Sequence, residues 1–382
     1  MNLDFTPNED EQLLLDSLQE LLDREAPESY IAECDRNHVR PDSFRKALHE
    51  GGFLSLGYPE EYGGTPVDTT TMMLVAEKIA RHGLNMAWGL DIIEIRDILE
   101  FGTDEQKAEV LNEMSSGREP FALAITEPGA GSDNSGMTTT ATTKDGKVTI
   151  NGTKTLVTNS LTCKYLLVLA VDAEADNPRK NVSMYLVPAD TPGISQDKLT
   201  KVGWWTIDSA EIHFDNVVVD ESTLVGKRGE GFIQLMKNFE IERVAVCSVM
   251  LGLAEAAFDD AAKYAGQRKA FGTNIGNFQL IQEKLTDMWI SIENMRGLIY
   301  RSAAMIDAGE DVKVITAATK RYCAMEAFRV ADEAMQIFGG MGYTDGARVA
   351  RIWRDLRGHR FGGGTDEIMV HIVGRQIVKD YQ

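Results

Sequence analysis

Apolar residues recur at spacings of three and four through the first third of the chain. Leu14, Leu18, Leu21 and Leu22 do so in E-Q-L-L-L-D-S-L-Q-E-L-L, after a Thr-Pro start signal, and predict an amphipathic helix. The stretches Phe44 to Leu48, Met72 to Ile79 and Glu105 to Met114 repeat the pattern, and the glycines and proline of G-G-F-L-S-L-G-Y-P-E-E-Y-G-G at 51 to 64 predict a long surface turn between them. Beyond about residue 120 the period shortens to two. K-V-T-I-N-G-T-K alternates around an Asn-Gly hairpin signal at Asn151 and Gly152, and Y-L-L-V-L-A-V at 165 to 171, V-S-M-Y-L-V at 182 to 187 and A-E-I-H-F-D-N-V-V-V follow as further strands. Their connections are too short for crossover helices, so the pattern predicts an antiparallel sheet. From Gly231 the helical spacing returns in long runs, among them Leu285, Met288, Ile292, Met295 and Ile299 and then Thr316 to Ile337, which predict a bundle. The expected fold class is α+β, with an N-terminal helical domain over 1–119, a middle antiparallel β domain over 120–230 and a C-terminal helical bundle over 231–382.

With 382 residues, 43% of them hydrophobic, the chain can bury a large core over two or three domains. Its 39 basic and 59 acidic residues give a net charge of −20, which repels nucleic acid and anionic membranes. A phosphate-bearing small ligand stays possible, because helix N-termini and a few placed cations suffice to hold one. The four cysteines, Cys34, Cys163, Cys247 and Cys323, have no metal-ligand spacing, no metal site is expected, and they read as buried apolar groups in a reducing compartment. The acidic start, and the lack of any apolar run near the roughly 20 residues of a membrane span, fit a cytoplasmic location.

Candidate chemistry centres first on Ala122 to Gly136, A-L-A-I-T-E-P-G-A-G-S-D-N-S-G. Its glycines and hydroxyls suit close approach of backbone to an anion or a flat ring, and equally an ordinary turn at a domain entry. It lacks the Lys-Ser/Thr of a P-loop, and a strand rather than a crossover helix follows, which disfavours a dinucleotide fold of the doubly wound kind. Further glycine clusters at 339, 340 and 342 and at 362 to 364 also suggest backbone facing a ligand. Glu242 lies in the apolar run N-F-E-I-E-R-V-A-V-C-S-V-M-L-G-L, where an unpaired carboxylate is expensive to bury; from local sequence alone an ion pair with Arg243 or a solvated first turn is the favoured explanation. No G-x-S-x-G nucleophile elbow occurs.

Six motifs in order, P-E-E-Y-G-G at 59 to 64, I-T-E-P-G-A-G-S-D at 125 to 133, I-N-G-T-K at 150 to 154, Q-R-K-A-F-G at 267 to 272, Q-I-F-G-G-M-G-Y at 336 to 343 and G-G-T-D-E-I at 363 to 368, resemble those of acyl-CoA dehydrogenases from Phe5 to Tyr381. The helix at 239 to 256 and the tail are most similar to the crotonobetainyl-CoA reductase branch and a related acyl-CoA dehydrogenase of enteric bacteria. The resemblance implies helical, β and helical domains, FAD between the last two, and a homotetramer. It implies that Leu123, Ile125 and Thr126 line the flavin ring, that Thr158 approaches flavin N5, and that Ser132 meets the pyrophosphate or the thioester ligand. Arg268, Phe271, Gln336 and Gly340 would hold the adenine half of a neighbouring subunit's FAD, Thr365 and Glu367 would contact the cofactor from the tail, and Phe239 and Arg243 would meet substrate.

Two departures from the family pattern stand out. Leu156 replaces the aromatic residue usual two positions before Thr158. Gly363 occupies the position where short- and medium-chain members carry their catalytic glutamate, whereas Glu242 stands where isovaleryl-type and long-chain members place theirs, so the resemblance makes Glu242 the base. The implied reaction interconverts acyl-CoA and trans-2-enoyl-CoA with an electron-transfer flavoprotein as partner, as dehydrogenase or as reductase in anaerobic metabolism. An oxygen-using acyl-CoA oxidase and a catalytically silent acyl-CoA-binding subunit are the competing expectations. Pocket depth is expected to depend on Trp88, Ile92 and Ile93.

Overall fold

The computed structural model describes residues 5–85, 91–175 and 181–382, with the backbone alone for 91–94 and 115. Trp88 and the side chains of Ile92 and Ile93 lie outside this description. Six helices come first: α1 (Glu9–Glu25), α2 (Glu28–Asn37), α3 (Asp42–Glu50), α4 (Thr69–Arg81), α5 (Asp91–Phe101) and α6 (Asp104–Ser115). The α1 stripe read from periodicity buries Leu18, Leu21 and Leu22 against Phe44 and Leu48 of α3. The segment 51–64 is not a surface turn: short 3₁₀ turns at Phe53–Ser55 and Glu60–Tyr62 fold it inward, and Phe53, Leu54, Leu56 and Tyr58 are buried. Its glycines bend the backbone while the apolar side chains between them supply the core, which a reading of breakers alone misses.

An eight-stranded sheet follows, built from β1 (Phe121–Ala124), β2 (Thr140–Lys144), β3 (Lys147–Thr158), β4 (Tyr165–Asp172), β5 (Val182–Pro188), β6 (Ile194–Lys198), β7 (Ser209–Asp220) and β8 (Leu224–Val225). The order is β6-β7-β3-β2-β4-β5-β8, with β1 pairing β4. The sheet is mixed rather than antiparallel, because β1 runs parallel to β4 along Tyr165–Val168 and β2 runs parallel to it at Val171 and Asp172. A parallel pair needs a crossover long enough to return the chain, and here strands β2 and β3 supply it in place of a helix. The hairpin signal also sits elsewhere than expected: the turn joins β2 to β3 at Asp145 and Gly146, both at positive φ, while Asn151 and Gly152 lie within β3. Gly152 marks a register shift, and a Cβ there would collide with Thr139.

Both faces of β4 are covered, which explains its unbroken apolar run. Leu167, Leu169 and Val171 join the core shared with the helices, and Leu166, Val168 and Ala170 join a separate core with Ile212, Phe214 and Val217 of β7. The helical core belongs mainly to α7 (Gly231–Gln267), α8 (Gln279–Asp307), α9 (Lys313–Phe338) and α10 (Arg348–Gly358), and α11 (Asp366–Asp380) packs on α9; a small hairpin of β9 (Lys269–Ala270) and β10 (Thr273–Asn274) follows α7. With 37 residues, α7 runs roughly 55 Å at 1.5 Å per residue and packs on α4, α5, α8, α9, α10 and β5. Gly252 lets α4 cross it closely, since a Cβ there would strike the backbone of Glu77 and Arg81. Among the described residues no helix is long and apolar enough to cross a membrane.

One buried ion pair ties the loop after β1 to the sheet. Lys154 of β3 is fully buried and donates from Nζ to the Ile125 carbonyl at 2.9 Å and to Glu127 Oε1 at 2.9 Å. Glu127 accepts in addition from Thr138 N and Oγ1 at 2.7 Å each and from Thr139 N at 2.9 Å. These contacts hold its carboxyl down at about 2 despite burial, whereas burial pushes the Lys154 amine down to about 8. Both groups shift downward, for different reasons: Glu127 has the Thr138 and Thr139 donors besides the amine, whereas for Lys154 the cost of burial outweighs the attraction of its partner. Replacing Lys154 with methionine strands a buried carboxylate and is expected to cost about 3–5 kcal/mol in chemical denaturation, with part of it recovered in Lys154→Met/Glu127→Gln.

Candidate active site

The loop between β1 and β2 leaves the sheet at Ile125. Its far end is anchored by Glu127, and Thr155 N of β3 donates to the Thr126 carbonyl at 2.8 Å, so Leu123, Ile125, Thr126 and Thr158 share one edge of the sheet. Leu123 and Ile125 are half-buried against the same core as Phe239 and Ile241 of α7. Ser132 is exposed in the loop, and added Cβ atoms at Gly129 and Gly131 would meet nothing within 4 Å. Leu156 is held at φ +57 by a register shift in β3 and turns 62% of its surface outward. An apolar ledge, a glycine-lined loop with room above it and free hydroxyls thus stand side by side.

Glu242 projects from the N-terminal half of α7 toward the tail that joins α10 to α11. A Cβ built on Gly363 would lie 3.8 Å from Glu242 Oε1. Two positions far apart in sequence therefore converge on one place, and the φ of +64 at Gly363 disfavours any larger residue there. The tail is held from three sides. Lys320 of α9, fully buried, donates to the Gly364 carbonyl at 2.6 Å. Asp366, also buried, accepts from Arg360 Nε at 2.7 Å and pairs with Arg321 at 3.3 Å. Trp204, from the loop between β6 and β7, donates from N to Asp355 Oδ1 at 2.6 Å and from Nε1 to the Asp355 carbonyl at 2.8 Å, which sets its ring against Gly358 and Gly362.

Burial pushes the Glu242 carboxyl up to about 7, against the opposing pull of Arg243 and Lys320. Among the described residues neither cation forms a direct ion pair with it, and desolvation outweighs their attraction. One turn earlier on α7, Asn238 donates to Asp97 Oδ1 of α5 at 2.7 Å, and burial raises Asp97 to about 7 as well. Arg243 is buried, with its Nε lacking a protein partner, a donor left for something that enters the site.

The other expected site residues fall into two places. Thr365 accepts from Ile368 N at 3.3 Å and caps α11, with Glu367 exposed in the first turn; both adjoin the tail glycines. Arg268 ends α7, Phe271 lies 96% exposed in the β9–β10 turn, and Gln336 and Gly340 sit exposed at the end of α9. Tyr264 stacked on Phe338 at 4.4 Å joins those two helix ends. This second group is roughly 40 Å along the α7 axis from Glu242, so within one chain it does not share a site with it. Sequence reasoning missed Lys154, Lys320, Asp97 and Asn238. Lys320 and Arg321 are the charges inside the otherwise mostly apolar or small run A-A-T-K-R-Y-C-A-M, a weaker form of the signal that drew attention to Glu242.

Three family models match consecutive parts of the chain: the acyl-CoA dehydrogenase N-terminal domain over 8–118, the middle domain over 122–217 and the C-terminal domain over 229–378. The Escherichia coli K12 protein described as "Probable acyl-CoA dehydrogenase YdiO" is 45% identical over 381 residues, covering 100% of each chain. Butyryl-CoA dehydrogenase from Megasphaera elsdenii superposes with a TM-score of 0.91 at 30% identity, over 98% of this chain and 100% of that one. A chain from structural work on the electron transferring flavoprotein of Acidaminococcus fermentans superposes with a TM-score of 0.90 at 30% identity, over 98% and 99%.

The raised Glu242 carboxyl has a consequence for stability. A carboxyl that binds its proton more tightly folded than unfolded costs stability as pH rises from the usual carboxylate range, and the cost is complete above about 7. Glu242→Gln removes that cost. In calorimetry it is expected to melt with the parent near pH 4.5 and above it at pH 8; a lower melting temperature at pH 8 would make Glu242 a structural ion-pair partner.

Proposed function

This chain belongs to the acyl-CoA dehydrogenase family, whose members are flavoprotein oxidoreductases acting on the CH–CH bond of an acyl-CoA, and from that premise we propose that it holds FAD and interconverts an acyl-CoA and its trans-2-enoyl-CoA, with Glu242 as the acid–base group. One observation carries the assignment of the base. A side chain at position 363 would start 3.8 Å from Glu242 Oε1, and of the two positions only 242 brings a carboxylate, already raised to about 7 by burial.

The residues present fit a flavin dinucleotide. Leu123, Ile125 and the outward Leu156 offer an apolar edge for a flat ring, with Thr126 and Thr158 beside it as polar contacts. The open space at Gly129 and Gly131 and the exposed Ser132 suit a pyrophosphate, and Thr365 and Glu367 adjoin from the tail. FAD, when bound, supplies the acceptor for the hydride that leaves the β-carbon. Glu242, ionised, takes the α-proton of the thioester, and in the reverse direction, protonated, it returns that proton to the α-carbon of the enoyl-CoA. The buried Arg243 places positive charge where the thioester becomes negative, and Phe239 packs on the same side of α7 as the apolar core.

The second group of residues supports an assembly. Arg268, Phe271, Gln336 and Gly340 stand too far from Glu242 to serve its cofactor, so we assign them to the FAD of a neighbouring copy. Leu280, Trp289 and Ile290 on α8, Ile377 and Val378 on α11 and Tyr381 just after it are exposed large apolar groups of the kind subunit contacts cover, in keeping with a homotetramer. The likeness to a chain from the electron transferring flavoprotein work supports such a flavoprotein as the redox partner. The order of helices, sheet and helices supports three domains over 1–119, 120–230 and 231–382.

Glu242→Gln is expected to keep its flavin and to lose roughly 10²–10⁴-fold in the rate at which acyl-CoA bleaches the flavin anaerobically. In the parent enzyme that bleaching falls as pH drops through about 7, because the base becomes protonated; enoyl-CoA reduction instead falls as pH rises through the same value. Retained bleaching in Glu242→Gln would move the role to Asp366, Glu367 or another acid. Arg268→Ala is expected to weaken flavin retention about tenfold or more through loss of a charge-assisted hydrogen bond, measured by flavin content after dialysis and size-exclusion chromatography. Full flavin in an intact oligomer would remove Arg268 from the cofactor's surroundings.

A further inference from the structure

Lys320 has no role in the reaction as derived so far, yet it is a fully buried amine beside the reacting groups. It lies on α9, where α9 packs on both α7 and α11, among the buried Thr316, Ala317, Cys323 and Ala324. A buried ammonium is costly unless paired, and the hydrogen bond it makes goes to a neutral carbonyl, that of Gly364 at 2.6 Å, rather than to a carboxylate. Asp366, the nearest fixed anion in the tail, is already engaged by Arg360 and Arg321. The carbonyl that Lys320 grips belongs to the residue after Gly363, the position that opens onto Glu242 Oε1. Lys320, the tail turn and Glu242 thus form one stack running from α9 to α7.

Resting on the reading of Glu242 as the base, we propose that Lys320 is a positioning residue: its ammonium fixes the glycine turn opposite Glu242 and supplies the positive charge against which that carboxylate ionises.

The charges around Glu242 leave Lys320 this part. On α7 itself stand Arg243, which opposes the effect of burial, and Glu240, which is directed at Arg243. From α5 comes Asp97, held by Asn238, a like charge. From α11 come Asp366, tied up by its two arginines, and Glu367, which is exposed. His359, buried beside Lys320, is pushed down to about 3 and is neutral. Cys247 on α7 faces Lys320 and is buried. Lys320 is therefore the cation reaching Glu242 from α9, and its attraction keeps the carboxylate from rising as far as burial would drive it.

The two parts of the role separate by substitution. Lys320→Gln keeps an N–H donor for the Gly364 carbonyl and removes the charge, whereas Lys320→Met removes both. The measurement is the pH dependence of anaerobic flavin bleaching by butyryl-CoA and octanoyl-CoA in the holoenzyme, with flavin content and melting temperature as checks on folding. Loss of a nearby opposite charge raises a carboxyl by about one unit or more, so in both variants the acid limb is expected to move up by about one pH unit, leaving bleaching at pH 6.5 about tenfold lower relative to its high-pH plateau. Lys320→Met alone is expected to raise KM severalfold, because the turn is no longer gripped. An unmoved limb in flavin-replete variants overturns the proposal, and so does failure of both variants to fold, which would make Lys320 a core residue. Glu242→Gln run alongside separates the two readings: bleaching retained there overturns the base itself, whereas bleaching lost there with an unmoved limb in the Lys320 variants overturns the role of Lys320 alone.

Discussion

The site depends on a salt bridge that no solvent reaches. Lys154 and Glu127 meet at 2.9 Å inside the sheet, and together they satisfy the Ile125 carbonyl and the backbone of Thr138 and Thr139. A loop rich in glycine and small polar residues has little apolar surface of its own to bury, so it cannot hold one shape by packing. The buried pair gives it that shape by demanding hydrogen bonds at fixed points. Ile125 and Thr126 are thereby fixed at the sheet edge, while Gly129, Gly131 and Ser132 face outward around the buried Ala130. The family motifs I-T-E-P-G-A-G-S-D and I-N-G-T-K are the two halves of this one contact.

Opposite the loop, α7 carries Glu242 past a tail that has given up its own side chain. Gly363 leaves the space that a second carboxylate would otherwise fill, and two acids so placed would repel each other's charge. The tail is then shaped by Lys320 on the Gly364 carbonyl, by the ion pairs of Asp366 and by the Trp204 ring. The proton affinity of Glu242 follows from where these elements meet: burial pushes it up, and Arg243 and Lys320 restrain it. A group poised near neutrality both takes and gives a proton, which is what a reaction run in either direction asks of it.

Where local pattern and structure part company, the causes are specific. The apolar run at 165 to 171 reads as a strand, and β4 is one, but its parallel partners β1 and β2 come from the far side of a hairpin that periodicity does not trace. Asn151-Gly152 and Asp145-Gly146 are equivalent turn signals in composition. The second makes the turn because it falls where β2 and β3 can pair in register, and the first is retained because Thr139 crowds Gly152. Phe53, Leu54 and Leu56 were hidden in a segment dominated by turn formers.

The sequence by itself determined the helix, sheet and helix order and the family, because periodicity and motif spacing are local properties of the chain. It also singled out Glu242 and Gly363 as a contrasting pair, though only through the family's pattern. Tertiary structure alone decided that position 363 opens onto Glu242, that Lys154 answers Glu127, and that Lys320 bears on the Glu242 carboxylate. Each of these is a meeting between elements distant in sequence, and its strength comes from removing water around charges. Burial of that kind is a property of the packed assembly of elements, and no single stretch of chain encodes it.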